Sequence, residues 1–282
     1  MSGRFTAPDG IALAWEEEGE GLPLLCLPGL TRNARDFDDL AAALGGRHRL
    51  IRLTMRGRKG SDRDPDPRNY IVPVEARDVL AFLDFLGLDR VVVVGTSRGG
   101  LIAMVMAAAA PERLAGVLLN DIGPEIASEG LARIMTYLGR EPQARSHAEA
   151  AAALKANMGA EFPGLSDERW LLCAQRWFDA GPEGLVLNYD PRLREAVEAS
   201  SAQPAPDMWP LFDALAPVPV AVVRGANSDL LTPETVARMQ ARRRDLIVAE
   251  VPDRGHVPFL DEPESLAALD ALVERVRGQM PV

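Results

Sequence analysis

Short apolar runs alternate with longer amphipathic segments along most of the chain. Residues 11–16, Leu22 to Leu27, His48 to Thr54, Leu114 to Leu119, Val218 to Arg224 and Leu246 to Val251 read as strands. Arg90 to Val94 carries a continuous β-branched run, the pattern of a strand buried on both faces of a parallel sheet. Between these runs the spacing becomes helical. Val74 to Leu86 places apolar residues at Val79, Leu80, Phe82, Leu83 and Leu86. Leu101 to Ala110 forms a small, Ala- and Met-rich helix that Pro111 stops. Pro233 to Arg242 follows Thr232 as N-cap, and Ser265 to Met280 closes the chain with an amphipathic helix. Strands alternating with helices predict an α/β fold, a mostly parallel central sheet with helices on both faces. In such sheets ligands sit beyond the C-terminal ends of the strands, so the strand ends are where chemistry is expected.

The rhythm breaks between residues 124 and 205. This stretch holds helical patterns, many alanines, Trp170 and Trp177, and no good strand. It reads as an all-helical insertion, with Pro204, Pro206 and Pro210 at its far boundary. The expected organisation is a core domain of 1–123 and 206–282 with a helical cap of 124–205. Most of the cap's Trp170, Trp177 and Phe178 surface is expected in packing, and some of it in an apolar pocket.

Composition narrows the choice of partners. Over 282 residues, 47% are hydrophobic and 26% charged, which suits a soluble globular protein. The net charge of -10 disfavours nucleic acid and anionic membranes as partners. Arg47, Arg49 and Arg52, and Arg242 to Arg244, read as solvated surface. Cys26 and Cys173 form no CxxC pair and read as buried free thiols. No signal-peptide pattern opens the chain and no apolar stretch is long enough for a bilayer, so the expectation is a cytoplasmic monomer or homodimer. No cofactor or metal is implied.

The chemistry concentrates where the buried 90–94 run ends. Gly95-Thr96-Ser97-Arg98-Gly99 matches G-x-S-x-G, a weak signal alone and a strong one between a buried strand and a helix. The sharp turn presents the Ser97 hydroxyl above the sheet, at a helix N-terminus that favours developing negative charge. A serine hydroxyl needs a base. Of three histidines, His48 opens a strand between arginines and His147 lies in an Ala/Glu-rich helix; both read as surface. His256, in the loop after the 246–251 strand, is the candidate base. An acid partner fixes the tautomer of such a histidine. Asp229, after the 218–224 strand, gives the chain order Ser, Asp, His and is the first choice. Asp121, also at a strand end, is the second. Asp253 reads as a turn residue.

These motifs resemble those of capped α/β-hydrolases over nearly the whole chain. Leu27-Pro28-Gly29-Leu30 is similar to that family's oxyanion loop, with Pro28 where His is more common. Arg56-Gly57-Arg58-Lys59-Gly60-Ser61-Asp62 is similar to its R-G-x-G-x-S loop, with Lys59 between the glycines. The sequence Val-Pro-Phe-Leu-Asp-Glu-Pro after His256 is similar to its histidine loop. The resemblance implies a sheet of about eight strands, acyl transfer through Ser97, and an oxyanion hole built from the backbone N–H groups of Leu30 and Arg98. Relatives that dehalogenate or open epoxides use an aspartate where Ser97 stands. Carbon–carbon hydrolases often carry Asn before the serine and Trp after the histidine; this chain has Thr96 and Val257.

The function expected is hydrolysis of a small or medium carboxylic ester or lactone. The alternatives are a carbon–carbon hydrolase, a related perhydrolase, or a ligand sensor that keeps the triad with slow turnover. Arg98 and Asp121 are candidate substrate contacts. For Arg98, an ion pair with a nearby carboxylate competes with binding of an anionic substrate group.

Overall fold

The computed structural model describes residues 1–202 and 206–279. Eight strands form one sheet: β1 (Ser2–Thr6), β2 (Ala12–Glu18), β3 (Pro23–Leu27), β4 (Arg49–Leu53), β5 (Val91–Thr96), β6 (Leu114–Asn120) and two strands that follow a long excursion. Five helices accompany the first part: α1 (Asp38–Leu44), α2 (Val72–Phe85), α3 (Arg98–Ala109), α4 (Ser128–Tyr137) and α5 (His147–Met158). The excursion continues through α6 (Asp167–Trp177), the hairpin β7 (Phe178–Ala180) and β8 (Leu185–Leu187), and α7 (Leu193–Ser201). The chain then returns through α8 (Trp209–Asp213), β9 (Val220–Gly225), α9 (Pro233–Arg242), β10 (Ile247–Val251) and α10 (Pro263–Gln279).

The sheet order is β1-β2-β4-β3-β5-β6-β9-β10. The pairings β1–β2 and β2–β4 are antiparallel, and all others are parallel. The strand alternation expected from the sequence is visible in the packing. Val91 and Val93 of β5 face one core with Leu25, Leu27, Val117 and Leu119, covered by α2, α3, α8 and α9. Val92 and Val94 face the other core with Leu24, Cys26, Leu118 and Val223, covered by α1 and α10. A strand buried on both faces has no polar side to spare, which is why 91–94 is all valine.

The chain order reverses direction between β3 and β5, so the crevice above their C-terminal ends is open to a ligand. The Pro28–Arg32 loop and Ser97 both emerge there.

Among the described residues the excursion between β6 and β9 adds no strand to the main sheet, yet the all-helical expectation for it fails. Phe178–Ala180 and Leu185–Leu187 pair as a hairpin closed by Gly181 N–H to the Gly184 carbonyl, 2.7 Å. Three-residue strands are too short for a period-2 pattern to stand out, although Leu185 and Leu187 are buried and Val186 between them is exposed. The expected end of the cap at 205, with Pro204, lies outside the described residues, as does Met280, the expected end of the last helix. Thr232 caps α9, its hydroxyl accepting from Thr235 N–H at 3.1 Å. The polar strand β1 escaped the sequence pattern. Cys26 and Cys173 are buried and free. His48, read as surface, is buried, and that burial together with Arg277 and Arg47 holds its pKa below the ordinary value. Arg52 likewise leaves the expected solvated cluster: it is buried against Asp38, Glu16 and Glu18.

Candidate active site

β5 ends in a turn that only its glycines allow. A Cβ on Gly95 would lie 2.6 Å from Gly100 N, and one on Gly99 would lie 2.0 Å from the Leu27 carbonyl oxygen. With side chains at both positions α3 could not approach the sheet closely enough to follow the turn. Ser97 sits at its apex with φ 49°, a conformation that disfavours any side chain and is held by neighbours on both sides. Its N–H donates to the Asn120 carbonyl (2.9 Å), and its own carbonyl accepts from Gly100 N–H (2.9 Å).

His256 reaches this serine from the loop between β10 and α10. Its Nε2 lies 3.0 Å from Ser97 Oγ, and its Nδ1 lies 2.7 Å from Asp121 Oδ2. An ionised carboxylate can only accept, so the imidazole tautomer consistent with both contacts carries its proton on Nδ1. That leaves Nε2 free to accept the serine proton.

Asp121 is the first residue beyond β6 and is fully buried. Burial of a carboxylate is tolerable only when its oxygens are satisfied. Oδ1 accepts from Gly225 N–H at 2.9 Å, and Oδ2 accepts from the Ser228 hydroxyl at 2.6 Å as well as from His256. Ser228 is fixed in turn, since its oxygen accepts from Leu230 and Leu231 N–H at 3.2 Å each. Buried Asn120, next door, donates to Thr96 Oγ1 (3.1 Å) and to the Pro258 carbonyl (3.0 Å). One amide side chain therefore ties the serine turn to the histidine loop.

Asp229 does not occupy the expected place, which corrects the first choice of acid. The chain leaves β9 through a tight turn, Ser228 N–H to the Gly225 carbonyl at 2.9 Å. That turn directs Ser228 inward to Asp121. Asp229, one residue later, faces the excursion and accepts from Arg133 of α4 at 3.0 Å. Arg133 also bonds Glu161.

The two candidate substrate contacts are also reassigned. Asp121 has no exposed surface with which to touch a substrate. The Arg98 side chain donates to Glu75 Oε2 (2.6 Å) and to the Tyr70 carbonyl (2.8 Å), so its guanidinium is held in an ion pair. Fully buried Glu75 uses its other oxygen on Arg58, at 2.6 Å. Burial alone would raise the Glu75 pKa, but Arg58 and Arg98 outweigh it and hold the carboxyl below its ordinary value. Arg58 in turn donates from Nε to the Leu30 carbonyl at 2.8 Å. A single carboxylate thus links Leu30 and Arg98, the two residues whose amides were expected to form the oxyanion hole. Neither amide has a protein acceptor among the described residues. Sequence reasoning missed Glu75, Asn120 and Ser228. Arg58 alone carried a signal, its position in the R-G-x-G-x-S-like loop.

Above Ser97 lies a cavity of about 680 Å³. Its floor is Gly29, Leu30, Ser97 and His256, and its walls come largely from α4, α5 and the hairpin. Trp177, Phe178 and Tyr137 make the lining largely apolar, with Arg32, Arg133 and Asp229 among its charged residues. Trp170 instead packs inside the excursion, with Phe162. Among the described residues no group of His, Cys, Asp and Glu side chains could hold a metal ion, and no helix is long and apolar enough to cross a membrane.

A sheet of this order, a serine at a strained strand–helix turn and a histidine from the last loop define a class. The model of the alpha/beta hydrolase family matches residues 24–269, and the chain belongs to that family. It is a hydrolase. It is 37% identical to a 3-hydroxybutyrate-oligomer hydrolase of Cupriavidus necator, over 90% of this chain and 88% of the relative. A 2-(acetamidomethylene)succinate hydrolase of Mesorhizobium japonicum is 26% identical, over 90% and 88% of the two chains. The crystal structure of an alpha/beta hydrolase from Novosphingobium aromaticivorans superposes with a TM-score of 0.91 at 44% identity, covering 98% of both chains.

Proposed function

We propose that this chain hydrolyses short linear esters of hydroxy acids through an acyl-enzyme on Ser97. The observation that carries the reading is the continuous hydrogen-bonded line from Ser97 Oγ through His256 to Asp121. Its similarity along nearly its whole length to a 3-hydroxybutyrate-oligomer hydrolase supports the substrate class.

In this mechanism Ser97 Oγ attacks the ester carbonyl as His256 Nε2 takes its proton. Asp121 stabilises the imidazolium that results. The Leu30 and Arg98 amides donate to the tetrahedral oxyanion, and the Arg58–Glu75–Arg98 bridge holds the two loops in register. Loss of one such donor typically costs about 3 kcal/mol of transition-state stabilisation. The intermediate collapses as His256 returns its proton to the departing alkoxide. Water, deprotonated by the same nitrogen, then attacks the acyl-serine and releases the acid. Segment 124–205 acts as a cap whose apolar wall excludes bulk water from this sequence.

The test is a burst assay with p-nitrophenyl butyrate beside Ser97→Ala, followed by a 3-hydroxybutyrate trimer. The expected result is a stoichiometric burst with continued turnover, absent in the variant, and cleavage of the trimer to shorter acids. A burst with no trimer cleavage would keep the esterase and remove the substrate class. No turnover of any ester above the variant would contradict the reading.

A further inference from the structure

Among the described residues, Arg32 carries a cation without a hydrogen-bonded partner beside Ser97. It lies in the loop after β3, where its N–H donates to the Gly29 carbonyl at 3.1 Å. A Cβ on Gly29 would sit 3.5 Å from Arg32 Cγ and 3.8 Å from Ser97 Cβ, so the arginine stem and the nucleophile flank the same glycine. The guanidinium then rests on the Trp177 ring, 3.3 Å from its centroid, in the cavity wall.

Of the other arginines around this site three are engaged, while Arg140, in the same cavity wall, is exposed. Arg58 and Arg98 hold Glu75, and Arg133, also in the cavity wall, holds Asp229 and Glu161. Among the described residues the Arg32 guanidinium donates no hydrogen bond, and its Nη1 is closed off from solvent without an acceptor. Its nearest carboxylate, Asp36, lies 3.9 Å from Nε, beyond hydrogen-bond distance. Burial pushes the Asp36 pKa up, against the pull of Arg32 and Arg176. Stacking on Trp177 fixes the plane of the guanidinium, an arrangement suited to a planar anion.

We propose that Arg32 is a specificity-determining residue that binds a carboxylate of the substrate, carried on the leaving alcohol a few bonds from the scissile ester. The assignment rests on the hydrolytic reading of Ser97 and names the end of the substrate that this site recognises. A guanidinium and a carboxylate form two parallel charge-assisted hydrogen bonds, and Trp177 shields them from water. The same site therefore favours oligomeric hydroxy acids with a free acid end over their neutral counterparts.

The experiment uses the 3-hydroxybutyrate dimer and the same dimer with its acid capped as the primary amide. Binding of both to Ser97→Ala is measured by calorimetry, then repeated with Arg32→Leu and Arg32→Lys in that background. The acid is expected to bind roughly 10- to 100-fold more tightly than the amide, with the preference collapsing in Arg32→Leu and partly restored in Arg32→Lys. In the active protein the same ratio is expected in kcat/KM for the internal ester. Equal binding of acid and amide, or an Arg32→Leu variant that weakens both alike, would overturn the carboxylate subsite. Because binding is read without turnover, a failure of the ester chemistry is separable. Acid-selective binding without Ser97-dependent cleavage would keep the subsite and remove the hydrolytic reading.

Discussion

The ends of β6 and β9 each present an aspartate near the nucleophile, and the two lead different lives. Asp121 is fully buried, and both of its oxygens accept hydrogen bonds, from Gly225 N–H, Ser228 and His256. Asp229 keeps 22% of its side chain exposed and pairs with Arg133, itself 32% exposed. Both give the chain order Ser, Asp, His, and geometry favours the strand next to β5. What separates the carboxylate that faces His256 from the one that faces Arg133 is the set of donors built around it, two of which come from the 225–228 turn at the end of β9.

The comparison can be broken in order of expected effect. Asp121→Asn replaces an acceptor with an amide and removes the charge facing His256. The ester kcat should fall by roughly 10⁴-fold with the fold retained; a loss of less than tenfold would return the role to Asp229. Next comes another buried carboxylate, Glu75. Glu75→Ala leaves Arg58 buried without its partner, and unfolding by urea should show a loss of about 3–5 kcal/mol. A neutral result would mean that Arg58 finds another acceptor. Ser228→Ala removes one donor from Asp121 and should lower kcat by about tenfold, since a hydrogen bond to a charged group contributes about 1.5–3 kcal/mol. The smallest effect is expected at Asp229→Asn. Its pair with Arg133 is part-exposed and screened, so urea unfolding should shift by less than about 1 kcal/mol. A kcat loss matching that of Asp121→Asn would reverse the assignment.

Much of this was legible in the sequence because the relevant signals are local. The all-valine run of β5, the glycines around Ser97 and the stop at Pro111 each express a constraint within a few residues. The pairing of His256 with Ser97 was legible by elimination among three histidines. The acid was not, because choosing between Asp121 and Asp229 requires knowing which strand lies beside β5 and which residue of the 225–228 turn faces inward. One step along the chain separates Ser228, pointing to Asp121, from Asp229, pointing to Arg133. The same limit hid Glu75. Within its helix it is an ordinary acidic residue, and only the docking of α2 against the 56–58 loop and the start of α3 brings two arginines to it. Arg32 was illegible for a related reason: its significance lies in the acceptors it does not have, and acceptors belong to the folded neighbourhood.

The central claim is that Asp121 holds the Nδ1 proton of His256. With three histidines in the chain, nitrogen-15 histidine labelling gives a proton NMR spectrum simple enough to follow that proton directly. The account predicts a strongly downfield, ¹⁵N-coupled resonance in the native protein that persists in Asp229→Asn and disappears in Asp121→Asn. A resonance that survives in Asp121→Asn and vanishes in Asp229→Asn would contradict it.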